Sequence, residues 1–212
     1  MKVLIVGSGK ISDSELLKNR HHWADFVIAA DGGAESLMKA GLTAQVLLGD
    51  FDSVSVPVLE EMKGNHHTEI LNFPKKKDFT DMELAINLAA ERGASEVVIL
   101  GGSGSRLDHT LANIMLLSNL LNRGIKGCLE DANNRIYLIR DRIAVKKQDN
   151  RKVSLLSLSP AVEGLTTKGL EYKLENAVLK FGSSFGISNE FIEETAEITI
   201  KKGLLLVFVS KD

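Results

Sequence analysis

The chain has 212 residues, 44% of them hydrophobic, with one cysteine and a formal net charge of −2. That is enough apolar material for one large or two smaller folded domains. The charge balance excludes broad nucleic-acid binding through a basic surface and leaves only a local patch such as Lys75-Lys76-Lys77. Cys128 alone can form neither an internal disulfide nor a cysteine metal cluster, so a reducing compartment, the cytoplasm, is expected. The opening MKVLIVGSGK is too short in apolar residues for a signal peptide, and no run of about 20 apolar residues offers a membrane span. The expected partners are small molecules, with neither nucleic acid nor membrane among them.

In chain order, the strand candidates of the first part are KVLIVG, DFVIAAD, QVLLGD, EILNF, EVVILG and KGCLE. Between them lie the helical stretches AESLMKAG, PVLEEMKG, DMELAINLAAERG and LDHTLANIMLLSNLLNRG, each closed by a glycine that suits a helix C-terminus. Pro57 suits the first turn of its helix, where the missing N–H is harmless. Alternating strands and helices predict a mostly parallel sheet with helices on both faces. After EDANN the pattern changes to RIYLIRD, KVSLLSLS, AVLKFG, AEITI and GLLLVFVS, with turn residues between and no long helical period. The expected fold is therefore an α/β domain over residues 1–135 followed by an all-β sandwich over 136–212. Lys201-Lys202-Gly203 is a link short enough to join the last two strands as a hairpin.

Ligands of open parallel sheets bind at the carboxyl ends of the strands. Asp31 follows FVIAA, Asp50 and Asp52 follow VLL, and GGSGSRLDH follows VVIL, so three strand ends bring polar groups to one edge. Thr80 or Asp78 could cap the helix that begins at Asp81, which places a fourth acid there. In an extended chain, Asp50 and Asp52 would point the same way about 6.5 Å apart, with Phe51 facing inward. Any one of these aspartates is also an ordinary turn former or helix cap. Together they would repel unless a cation sits among them, and hard oxygen ligands suit Mg²⁺, which in turn suggests phosphates. Lys77, Arg106 and Lys10 could meet those phosphates, whereas Lys75 and Lys76 read as solvated surface. His109, beside Arg106 and Asp108, could contact phosphate, act as acid or base, or be a polar residue of the helix's first turn. His21, His22, His66 and His67 read as surface residues of polar loops.

Two motifs fail. GSGK at residues 7–10 would need a glycine where Leu4 stands and a serine or threonine where Ile11 stands to be a P-loop. GGSGSRLDH lacks the last glycine of a dinucleotide fingerprint.

The motifs DGGA (31–34), GDFDS (49–53), KDFTDMELA (77–85), GGSGSRLDHTLAN (101–113) and GLEYKLENAVLKFGSSFGISNEF (169–191) resemble those of bacterial thiamine pyrophosphokinases in order and spacing across nearly the whole chain. The resemblance implies pyrophosphoryl transfer from ATP to the hydroxyl of thiamine, giving thiamine diphosphate and AMP. It also implies Mg²⁺ as cofactor and a homodimer with active sites between subunits. By motif, Asp31, Asp50, Asp52 and Asp81 correspond to the acids that gather metal and ATP, with Asp50, Asp52, Asp81 and Arg106 carrying the catalysis. Asp31, Gly32, Lys77, Arg106, Asp108 and His109 fall on the nucleotide side, and Thr80, Asp81, Tyr172, Ser188 and Asn189 on the thiamine side. Asp81 could hold metal, accept the alcohol's proton or contact thiamine. The tryptophan that some relatives place against thiamine has no counterpart, since the chain's one tryptophan is Trp23; aromatic cover would fall to Tyr172, Phe181 or Phe185, or be absent.

Two other readings fit parts of the pattern. A haloacid-dehalogenase-type phosphatase also uses Asp-x-Asp after a strand, but here the pair follows the third strand and no later strand ends in an extra acid pair. A sensor that binds without chemistry would not need so costly a cluster of like charges.

Overall fold

The computed structural model describes residues 1–212. It divides into two compact units, Met1–Ala132 and Asn133–Asp212. No helix is long and apolar enough to cross a membrane.

The first unit contains β1 (Lys2–Val6), α1 (Ser14–Trp23), β2 (Phe26–Ala30), α2 (Gly33–Lys39), β3 (Val46–Gly49), α3 (Val56–Gly64), β4 (Glu69–Asn72), α4 (Asp81–Glu91), β5 (Glu96–Leu100), α5 (Leu107–Asn122) and β6 (Lys126–Glu130). Its strands lie in the order β4-β3-β2-β1-β5-β6, all parallel. Val3 to Val6, Val27 to Ala30 and Val97 to Leu100 are buried end to end, the unbroken apolar run of strands covered on both faces. Helix α2 packs on α3, and α4 on α5; crossovers of the usual right hand place α1, α2 and α3 on one face of the sheet and α4 and α5 on the other. The strand order reverses at β1, whose Val6 pairs with Ala29 on one side and Leu100 on the other. The crevice at the carboxyl end of such a reversal is where an open α/β sheet receives its ligand.

Three expectations are corrected in this unit. Helix α1 had no sequence signal strong enough to name, because only Leu17 of its ten residues is buried; the Asp13 carboxylate starts it by accepting the Leu16 N–H at 2.9 Å. His21 and His22 therefore stand in the last turn of a helix rather than in a loop, where a basic side chain suits the negative helix end. Gly41, Gly93 and Gly124 end α2, α4 and α5 with left-handed φ of 70°, 81° and 72°, but Gly64 is still helical and α3 is closed by an extended Asn65.

The second unit is antiparallel throughout: β7 (Asn134–Ile139), β8 (Arg142–Lys146), β9 (Lys152–Ser157), β10 (Ala161–Lys168), β11 (Ala177–Lys180), β12 (Thr195–Thr199) and β13 (Leu205–Ser210). One sheet runs β7-β13-β9 and the other β11-β10-β12-β8. Side chains of both, among them Val145, Val153, Leu155, Val162, Leu165, Ile198 and Val207, share one apolar core. The predicted hairpin at Lys201-Lys202-Gly203 is not formed. Strand β12 pairs with β10 and β8 while β13 pairs with β7 and β9, so the link carries the chain from one sheet to the other. Its backbone is held by Glu163 in β10, which accepts from Lys201 at 2.9 Å and donates to Lys202 at 2.9 Å. Those bonds compete with the hairpin and win because both sheets then bury their apolar faces.

Candidate active site

The carboxyl ends of β1, β2, β3 and β5 open onto one cleft of ≈780 Å³, lined from Gly7-Ser8-Gly9-Lys10, Asp31, Asp50, Asp52, Ser53, Lys75, Lys77, Phe79–Met82 and Gly101–Arg106 through His109, Thr110 and Asn113. Its floor is main chain. Beyond the ends of β1 and β5 the pairing continues, with Gly7 N–H donating to Leu100 at 2.8 Å and Gly9 N–H to Gly101 at 2.9 Å. A Cβ on Gly9 would run into the Ser103 carbonyl, so only glycine permits this approach.

Asp31, Asp50 and Asp52 present carboxylate oxygens that all lie within 4.8 Å of one another. The route by which Asp50 and Asp52 meet differs from the extended strand expected. Gly49 (φ 140°) and Phe51 (φ 62°) turn the chain sharply, and Asp50 Oδ1 accepts the Asp52 N–H at 3.2 Å. Phe51 is only half-buried, so a turn rather than inward packing of Phe51 aims the two acids. Asp31 likewise takes a left-handed φ of 49°, an uncommon conformation for a residue with a side chain. Asp31 is 6% exposed, and its Oδ1 is buried with no hydrogen-bond partner. Burial pushes its carboxyl above the usual range, against the pull of the Ser53 hydroxyl and the Gly32 and Ser53 N–H groups; the charge of Asp81 adds to the rise.

Asp81 opens α4, and Thr80 caps it by accepting the Glu83 N–H at 3.2 Å. The ammonium of Lys77 lies 2.8 Å from Asp81 Oδ1 and 4.0 Å from Asp50 Oδ2. Lys75, expected to be plain surface, instead binds Asp52 at 2.6 Å, an exposed contact that holds the Asp52 carboxyl below its usual range together with Ser53. The signal for it was present: the three-lysine run follows β4 at the same sheet edge as the acids.

Asp31, Asp50, Asp52, Asp81, Lys77, Thr80, Arg106 and His109 are thus brought to one cleft. Gly32 lines a neighbouring hollow of ≈500 Å³ that shares Ser8, Gly9, Lys10 and Ser53 with it. Asp108 stands outside; its exposed carboxylate takes the Arg106 guanidinium at 2.7 Å and is held below its usual range by it. Ser53 and Asn113, whose amide donates to the Gly102 carbonyl at 2.7 Å, were not singled out from the sequence.

Tyr172, Ser188 and Asn189 belong to the second unit. Asn189 is buried and its amide is committed locally: Oδ1 accepts the N–H of Tyr172 and of Glu190, both at 2.9 Å, and Nδ2 donates to the Tyr172 carbonyl at 2.8 Å. Its work is to hold the Tyr172 backbone. Ser188 takes a φ of 61° with its N–H on Ser154 Oγ at 3.0 Å, and Tyr172, Phe181 and Phe185 are all exposed.

Comparison with known proteins agrees with this geometry. Residues 17–129 match the catalytic domain of thiamin pyrophosphokinase, and residues 140–205 its vitamin B1 binding domain. The chain is 32% identical over 188 residues to the thiamine pyrophosphokinase of Bacillus subtilis, covering 87% of each sequence. The crystal structure of a Bacillus subtilis thiamine pyrophosphokinase superposes with a TM-score of 0.90 at 29% identity over 100% of both chains. That of a thiamin pyrophosphokinase family protein from Enterococcus faecalis gives 0.84 at 31% identity, again over 100% of both. The two matched domains account for most of the chain, and the chain belongs to the thiamin pyrophosphokinase family.

Proposed function

We propose that this chain transfers the pyrophosphoryl group of ATP to the hydroxyl of thiamine, releasing AMP. The observation that carries the reading is the three-carboxylate group of Asp31, Asp50 and Asp52 with a buried, unpartnered Asp31 oxygen, set where a parallel sheet receives its ligand.

The donor set fits Mg²⁺. It is all oxygen, it is anionic, and the buried Asp31 Oδ1 has no other partner. Asp31, Asp50 and Asp52 would hold the ion, and Asp81 stands beside them. When bound, the ion supplies charge neutralisation on the phosphate oxygens of ATP. The rest of the task falls to the chain's own groups. Lys77 and Arg106 bind the phosphate tail, with Lys10 and His109 at the rim of the same cleft. Asp31 and Gly32 lie on the nucleotide side, and Asp108 acts there through its hold on Arg106. Thr80 and Asp81, fixed at the start of α4, accept the hydrogen bond of the thiamine hydroxyl and turn its oxygen toward the β-phosphorus. Alignment and charge placement of this kind carry most of the catalysis in phosphoryl transfer.

Asp31, Asp50, Asp52 and Asp81 face Lys10, Lys75, Lys77 and Arg106 across the cleft, so the lining charges balance, and it is the carboxylate side that suits thiamine's fixed positive ring. On the second unit, Tyr172 and Ser188 contact thiamine, Asn189 positions Tyr172, and Tyr172, Phe181 or Phe185 supplies the aromatic cover. The enzyme works in the cytoplasm as a homodimer with active sites between subunits. Exposed Leu107, Leu111 and Met115, spaced along one face of α5, and the exposed aromatics of the second unit support an apolar subunit contact.

Purified protein with ATP, Mg²⁺ and thiamine, followed by separation of the nucleotides, tests the reading. Thiamine-dependent AMP and thiamine diphosphate are expected. ADP or free phosphate would overturn it in favour of a phosphatase or another kinase, and tight binding without turnover would make the chain a sensor.

A further inference from the structure

Lys75 and Lys77 come from one short segment and meet the same acid group, yet they are physically unlike. The side chain of Lys75 is 75% exposed and rests on Asp52 from outside. That of Lys77 is 13% exposed and lies between Asp81 and Asp50, themselves largely buried. The segment is tied at one end by the Phe73 N–H on the Gly49 carbonyl at 2.9 Å and at the other by the Thr80 cap. A buried ammonium must keep an anionic partner, and so must the carboxylates. Asp50 is the shared member: it belongs to the three-acid group and also faces Lys77. A divalent cation entering that group meets the Lys77 charge across Asp50. Phosphates arriving with the cation give Lys77 a new anionic partner within the same cleft.

We propose that Lys77 is a displaceable counter-ion of the metal site, neutralising Asp50 and Asp81 in the free chain and passing to phosphate oxygens when metal and nucleotide arrive together. The inference rests on the metal reading above. Its consequence is coupling: metal alone is held weakly because Lys77 opposes it, and nucleotide strengthens metal binding because it takes Lys77 away.

The test is Mn²⁺ binding, read by electron paramagnetic resonance and calorimetry, with and without α,β-methylene ATP. Relative to the unaltered chain, Lys77→Gln should bind Mn²⁺ alone about ten-fold more tightly, since a unit charge about 4 Å from a ligand carboxylate has been removed from a low-exposure site. The strengthening of Mn²⁺ binding by the analogue should shrink by a similar factor. Lys77→Arg should stay near the unaltered chain, and Lys75→Gln, removing a screened charge, should change Mn²⁺ affinity by less than about two-fold. Structural damage would weaken metal binding, so tighter binding is a result that misfolding cannot mimic; Lys77→Met serves if the glutamine variant does not fold. Unchanged or weaker Mn²⁺ binding by folded Lys77→Gln and Lys77→Met, with the unaltered chain binding normally, would overturn the counter-ion role alone. An unaltered chain that binds no Mn²⁺ with or without the analogue would overturn the metal reading, and the counter-ion role with it.

Discussion

The two units place their site residues by opposite means. In the first, acids stand directly at the ends of buried parallel strands, so the sheet that makes the core also aims Asp31 and Asp50. In the second, Tyr172 and Ser188 lie in connections between antiparallel strands, and one side-chain amide, Asn189, holds the local backbone together. The first arrangement largely separates chemistry from stability, because the carboxylates stand beyond the apolar scaffold and are tied to one another's turn and to Lys75 and Lys77. The second fuses the two, because the polar group nearest the proposed thiamine contacts is itself a structural fastener.

That contrast can be broken by substitution. The largest expected effect is on Asp50→Asn and Asp52→Asn: turnover with Mg²⁺ should fall about a thousand-fold or more while the chain stays folded and its melting temperature changes little, since the relief of like-charge repulsion is offset by the lost pairing with Lys77 or Lys75. Near-normal turnover in both would remove the metal role. Asn189→Ala should behave in the reverse way. Losing three hydrogen bonds and leaving Tyr172 and Glu190 backbone groups unpaired should cost about 2–3 kcal/mol in denaturant unfolding, with KM for thiamine rising more than kcat falls. Unchanged stability would show that Asn189 is not the fastener described.

The smallest effect sharpens the first half of the comparison. Burial raises the Asp31 carboxyl, so its ionisation opposes folding. The opposition is absent below the unfolded pKa of about 4, grows as pH rises from there through the raised native value, and then stays constant. Asp31→Asn should therefore be more stable than the unaltered chain at neutral pH, with the gain fading as pH falls toward 4, as thermal melts across that range would show. A gain that does not vary with pH would refute this account of Asp31.

What could be read from the sequence divides along the same line. The six strands of the first unit and the edge that gathers Asp31, Asp50, Asp52 and Asp81 follow from the alternation of apolar runs and helices, because a parallel sheet puts its polar residues where strands end. Helix α1 did not follow, since one buried leucine gives no stripe. Strand β10 was missed because Gly164 interrupts it at a bulge, and β8 because Ile143, Ala144 and Val145 run consecutively without the alternation that marks a half-buried strand. The pairing of Asp50 with Asp52 was expected for the wrong reason: left-handed Phe51 could not be anticipated in a residue that normally avoids that conformation. Asn189 falls on the thiamine side by its motif alone, and only the fold reveals that its amide is committed to the Tyr172 and Glu190 backbone.

The glycine floor between β1 and β5 has a consequence for how the enzyme can diverge. Where main chain meets main chain at Gly7, Gly9 and Gly101, no side chain can be introduced without prising the strands apart. Selection for a different nucleotide or a different alcohol has nothing to work on there. Variation in substrate preference must be written in the walls, at positions such as Lys10, Arg106, His109 and Thr110, while the floor stays constant as the invariant against which those changes are made.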